Sequence, residues 1–160
     1  MSDRIWIVGV GNVFLGDDGF GLAVIDRLRR EPIPAGVHVE DFGIRATHLA
    51  YALLDPPELL VIADATSQGS EPGTVFLLEP DTDAPTSTVA NGHAMDLGLV
   101  FQTAKALGAE LPRIRIVGCE PAFLGERMGL SDPVESAVDA AKILILDLVR
   151  SELSAEGARP

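Results

Sequence analysis

The sequence predicts an α/β fold: a three-layer α/β/α sandwich around a mostly parallel five-stranded sheet, with one strand expected to be antiparallel. Three observations carry this reading. Short apolar runs, Ile5-Trp6-Ile7-Val8 and Leu59-Leu60-Val61-Ile62-Ala63, have the length and composition of strands buried on both faces. Segments with helical periodicity alternate with such runs, the pattern of strand–helix–strand units. Glycines and carboxylates stand where those runs end, at the sheet edge where open α/β folds bind their ligands.

Residues 5–10 form the first strand, and Gly9, Gly11 and Asn12 supply a tight turn after it. Asp17 and Asp18 follow, then a helix over residues 18–30 with Phe20, Val24, Ile25 and Leu28 on its apolar face. Pro32 and Pro34 end that helix. Residues 37–41 alternate apolar and polar as a second strand, with a turn at 42–45 and a short helix over 47–54. The third strand, 59–63, carries Asp64 at its tip. Residues 66–73 are a polar loop, and 74–79 a fourth strand. Their link is too short for a crossover helix, so this strand is expected to be antiparallel and near an edge. A long polar loop over 81–92 delivers His93 to a helix over 94–107, stopped by Gly108. The fifth strand is 114–117. Ser131 and Pro133 suit the start of a last helix over 132–150, and the tail 151–160 is expected to fray. Residues 1–150 thus read as one domain.

Composition narrows the function. A net charge of −12 argues against nucleic acid and anionic membranes as partners, since both require a basic face. The single cysteine, Cys119, permits no intramolecular disulfide and agrees with a reducing compartment. No signal-peptide pattern and no apolar run long enough for a membrane span is visible, so a cytoplasmic location is expected.

Asp18, Asp64 and His93 share one topological address, the carboxyl edge of the sheet. Two carboxylates and an imidazole could meet there as a three-ligand open site for a divalent ion such as nickel or zinc. Each also has an ordinary reading. Asp17 and Asp18 suit a helix cap, Asp64 suits bonding to loop amides, and His93 suits a plain loop position. Which of Asp17 and Asp18 faces inward is a question of helix phase. His38 and His48 read as structural. Cys119 reads as a buried inert thiol, and Arg45 as a partner either of a carboxylate terminus or of Asp41. A dinucleotide fingerprint is incomplete, because Phe14 stands where G-x-G-x-x-G needs its third glycine, although Asp41 could meet a ribose. Neither a G-x-S-x-G elbow nor an H-E-x-x-H pair is present.

The run GVGNVFLGDDGFG (residues 9–21) closely resembles the N-terminal signature of the hydrogenase maturation proteases, nickel-dependent endopeptidases that trim the large subunit of NiFe hydrogenases. VIADAT (61–66), NGHAMDLG (91–98), VGCEP (117–121) and GLSDPVESAV (129–138) resemble the family's later motifs in order, so the likeness spans nearly the whole chain. The resemblance implies that Asp18, Asp64 and His93 are both metal ligands and catalytic residues. It implies that nickel is delivered by the substrate, a hydrogenase large-subunit precursor, and that a C-terminal extension is removed after nickel insertion. The family's glycine-rich recognition turn, often Asp-Gly-Gly-Thr, here reads Asp41-Phe42-Gly43-Ile44-Arg45, which assigns substrate recognition to Asp41, Gly43 and Arg45 and leaves the hydrogenase type open. The alternatives are a non-catalytic nickel-sensing chaperone of the precursor and, further off, a nucleotide-binding module.

Overall fold

The structure is a computed structural model that describes residues 3–83 and 96–157. Its five-stranded sheet contains β1 (Ile5–Val10), β2 (Val37–Gly43), β3 (Leu59–Ala65), β4 (Val75–Leu78) and β5 (Arg113–Cys119) in the order β2-β1-β3-β5-β4. The first four of that order are mutually parallel, and β4 runs antiparallel to β5 with Val75 opposite Cys119. This is the expected mixed sheet, with the antiparallel strand at an edge. The central strands are apolar on both sides because helices cover both faces.

On one face lie α1 (Phe20–Leu28) and α4 (Asp132–Gly157), packed on Ile5, Ile7, Val61 and Val117 through Phe20, Ile25, Val138 and Ile145. On the other lie α2 (Ala46–Ala52) and α3 (Leu97–Ala106), where Leu49, Leu53 and Phe101 meet Val8, Leu60 and Ile62. Arg27 on α1 ties the first pair at its rim, bonding Glu135 at 2.7 Å and Asp139 at 2.6 Å.

Two sequence expectations need correcting. The first helix does not begin at Asp18: a 3₁₀ turn, Gly16–Gly19, precedes α1. The chain does not fray after Arg150. The last helix continues to Gly157, because Leu153 still packs on the core and Glu152 receives the Arg113 guanidinium. Ser131 does stand at the start of the last helix, its carbonyl accepting Glu135 N–H at 2.9 Å, while its hydroxyl is donated to Asp17 at 2.8 Å. α3 begins at Leu97, under an Asp96 carboxylate that accepts the Leu99 N–H at 3.1 Å, and ends in a Schellman turn with Ala109 N–H on Ala104 O at 2.9 Å. Residues 84–95, with the expected loop end, His93 and the expected helix start at Ala94, lie outside the described residues. Among the described residues no helix is long and apolar enough to cross a membrane.

Candidate functional site

The strand order reverses direction between β1 and β3. From β1 the chain winds outward to β2, and from β3 it winds the other way to β5. Loops leaving two such strands diverge and open a crevice at their carboxyl ends. Asp18 follows β1 and Asp64 is the sixth residue of β3, so the topology sets both at the mouth of that crevice.

Close packing holds the two strands and α1 in register. A Cβ on Gly21 would stand 2.3 Å from Ala63 O and 2.5 Å from Val10 O, so only glycine lets the helix lie this near both strand ends. Gly11 has φ +132°, and a Cβ there would stand 1.9 Å from Asp18 O. These two glycines bring the 3₁₀ turn, and Asp18 with it, over the sheet edge.

The adjacent acids have different work. Asp17 is fully buried. Its Oδ2 accepts N–H bonds from Ala122 at 2.7 Å and Phe123 at 3.0 Å and the Ser131 hydroxyl at 2.8 Å; its Oδ1 accepts Ser131 N–H at 2.7 Å. Burial alone would raise its pKa. The donated bonds from Ser131, Phe123 and Ala122 together outweigh it and hold the carboxyl below the usual aspartate range. Asp17 is therefore a fixed anion that organises the segment after β5, not a helix cap. Asp18 is also buried, and its Oδ2 accepts Asn12 N–H at 2.8 Å. That bond takes a turn N–H that a nucleotide phosphate would require, which argues against the dinucleotide reading.

Asp64 is buried at the tip of β3. Burial, and after it the nearby charge of Asp18, push its carboxyl well above the ordinary value of 3.8, against a backbone bond from Ala65 that lowers it. Two buried acids within electrostatic reach cannot both ionise cheaply, and a bound cation would relieve their repulsion. Two carboxylates alone suit a hard divalent ion, and an imidazole beside them would shift the preference toward nickel or zinc. Among the described residues no group of three His, Cys, Asp or Glu side chains forms a metal site. The expected third member, His93, lies outside them.

Glu120 is a site residue that the sequence reasoning does not single out. It is buried, and its Oε1 accepts Gln68 N–H at 2.7 Å and Ser70 N–H at 2.8 Å, so it fixes the loop that leaves Asp64. The detectable signal was an acid at the end of a buried strand facing a Gly/Ser-rich loop. Cys119 is fully buried. Burial, then the charges of Asp17 and Glu120, push its thiol up to about 11. The native protein should resist thiol-specific alkylation at pH 8 for hours and take up one equivalent once denatured; rapid native labelling would contradict this burial.

The turn after β2 is tied to the first motif through Gly11 N–H on Gly43 O at 2.9 Å. Arg45 does not bridge to the Asp41 side chain as one reading had it. Its guanidinium donates to the main-chain carbonyls of Asp41 and Phe42 and lies over the Phe42 ring at 5.5 Å from the centroid. His38 bonds Glu40 at 2.8 Å and meets Trp6 edge-on, and with the exposed His48 it lines a cavity of about 580 Å³ on the α2 side of the sheet.

Fold and site together define an open α/β domain with a buried acid pair at its topological switch point. The family model for hydrogenase maturation protease matches residues 22–149. A hydrogenase expression/formation protein, HupD, of Rhodobacter capsulatus is 32% identical over 160 residues, covering 97% of this chain and 73% of that protein. Among solved structures, the hydrogenase maturating endopeptidase HybD from Escherichia coli aligns with a TM-score of 0.80 at 28% identity, covering 93% of each chain. The hydrogenase 2 maturation peptidase from a Thaumarchaeota archaeon aligns at 0.71 and 30% identity, covering 91% of this chain and 97% of its own. The chain belongs to the hydrogenase maturation protease family, and that membership places it among the peptide hydrolases.

Proposed function

We propose that this protein is an endopeptidase that removes the C-terminal extension of a NiFe hydrogenase large-subunit precursor after nickel has been inserted. The observation that carries the reading is the pair of buried carboxylates at the switch point, Asp18 after β1 and Asp64 at the tip of β3, with Asp64 pushed above the ordinary aspartate range by burial and then by the charge of Asp18. The cation is substrate cargo: nickel enters with the precursor. Asp18, Asp64 and His93 would fill its open coordination positions, so a precursor without nickel offers the site nothing to hold. The ion can polarise the scissile carbonyl or activate water. The protein's own share is to orient the two carboxylates and exclude solvent. No nucleophilic side chain is required, which agrees with a deeply buried Cys119. The turn carrying Asp41, Gly43 and Arg45 borders the same edge and would meet the precursor beside the cleavage point. A reducing cytoplasmic setting fits such a partner.

Mass spectrometry of a nickel-loaded precursor from the same source tests the reading. Wild type should release a C-terminal peptide; Asp18→Ala and His93→Ala should release none, and a nickel-free precursor should stay intact. Normal processing by His93→Ala would refute the ligand set. An unchanged mass in every tube despite a stable complex would favour the chaperone.

A further inference from the structure

β2 is an outer strand of the sheet, and among the described residues it pairs only with β1. The two edges of the sheet are built differently. β4, at the far edge, has four residues and is closed two residues on by Pro80, a common way to keep an edge from taking on another strand. β2 has seven residues and contains neither proline nor lysine. From Val37 to Asp41 it keeps a regular register with β1, so its outward backbone groups form an unbroken row. The complement of such a row is another extended backbone.

Both faces beside that edge can receive side chains. On one face Val37 and Val39 are half-buried against the core under α1 and α4. On the other, His38, Glu40 and Phe42 border the cavity of about 580 Å³, shared with Trp6 and with His48 and Tyr51 of α2. A strand laid along β2 would send alternate side chains to the valines and into this cavity. A second copy of this chain is poorly suited to the place. Paired edge to edge about a two-fold axis, it would bring only its own His38, Glu40 and Phe42 to the cavity face. These are already committed, His38 to Glu40 at 2.8 Å and Phe42 by burial.

β2 also leads to the candidate site. It runs toward the carboxyl edge, where Gly43 O accepts Gly11 N–H at 2.9 Å, next to the Asn12 N–H that bonds Asp18. A strand added outside β2 lies two strand spacings, about 10 Å, from β1. About three extended residues span that distance.

We propose that the precursor's C-terminal extension binds as a sixth strand, antiparallel to β2, with apolar residues on Val37 and Val39, a bulky side chain in the cavity, and the scissile bond about three residues before the first paired one. This rests on the endopeptidase reading above and adds how the removed segment is held. The direction follows from the site: the extension leaves the cleavage point at the carboxyl edge and must run back along β2.

Residue-resolved amide hydrogen exchange on isotope-labelled protein tests this, with a synthetic peptide of the extension from the same source as the probe. At saturation every second amide of residues 37–43 should slow about tenfold or more, and those of 75–78 should not change. N-methylation along the peptide should weaken binding with a period of two, beginning about three residues past the cleavage point. The His48→Ser/Tyr51→Ser double variant, at two exposed positions of α2, should raise the peptide Kd about tenfold at an unchanged melting temperature. Absent or non-alternating protection in β2, or protection on β4 instead, would overturn the proposal. So would β2 protection that grows with protein concentration without peptide, which would assign the edge to a second copy. Normal cleavage of nickel-loaded precursor without β2 protection would remove the added strand and leave the endopeptidase reading standing. Alternating β2 protection with no cleavage by wild type would do the reverse.

Discussion

Asp64→Asn is expected to abolish processing while making the metal-free protein more stable. The two effects have one cause. Burial and the Asp18 charge disfavour the ionised form of Asp64, so between the unfolded pKa near 3.8 and the raised folded one the native protein holds a proton there that the unfolded chain has released. A group whose folded pKa is raised binds more protons in the native state, and stability falls as pH climbs from the unfolded value near 3.8 through the folded one. The neutral amide has no such penalty and can still accept the Ala65 N–H. Its melting temperature should match wild type near pH 3.5 and exceed it by on the order of 5 °C at pH 8. Cleavage of the nickel-loaded precursor should drop about 10³-fold or more, because an amide is a poor ligand for a divalent cation. Equal melting curves at both pH values would show that Asp64 ionises freely and that the acid pair is not held under electrostatic tension.

Asp17→Ala should do the opposite to stability. Removing this carboxylate leaves the N–H groups of Ala122, Phe123 and Ser131 and the Ser131 hydroxyl without their acceptor, around a side chain that was fully buried. Charge-assisted bonds of this kind are each worth about 1.5–3 kcal/mol, and the orphaned donors add a desolvation cost, so a loss of about 3–5 kcal/mol is expected. For a domain of this size that lowers the melting temperature by roughly 10 °C. The carboxyl's lowered pKa sets the pH dependence: its contribution is complete above the unfolded value of 3.8 and disappears as pH falls through the folded one. The difference between wild type and variant should therefore shrink in acid. Thermal denaturation at pH 7 and pH 3 measures both claims, and an Asp17→Ala protein as stable as wild type at pH 7 would contradict the bonding described.

What the sequence made legible was whatever local chemistry dictates. Apolar runs on both sides of the turn gave β1 and β3. The short link between the third and fourth strands made β4 antiparallel. Gly9 and Gly11 announced the tight turn after β1, and Gly11 does adopt φ +132° against Asp18; the close approach at Gly21 was visible only in the structure. What stayed hidden depended on partners far along the chain. Asp17 and Asp18 are neighbours in sequence, and no periodicity tells them apart, because the 3₁₀ turn carrying them breaks the phase of the helix that follows. Their difference lies in who meets them: Asp18 bonds Asn12 six residues away, while Asp17 reaches Ser131 across 114. Ser131 reads as a cap and does precede the last helix, but nothing local shows that its hydroxyl is donated to Asp17. The end of α4 was missed for the same reason, since Leu153 and Glu152 are held by the core and by Arg113 rather than by helix propensity.

The span of the Asp17 contacts has a consequence for biogenesis. The first motif is translated early, but the groups that satisfy its inner carboxylate are the backbone of residues 122–131, and the helix packed against α1 comes later still. A nascent chain that has exposed only its amino-terminal half holds an unanswered anion where the turn should close. The crevice can mature only when the segment after β5 has emerged and folded back, so a ribosome-bound or truncated chain would carry the signature residues without a working geometry. The inner carboxylate of the first motif thus depends on residues 122–131 for its partners.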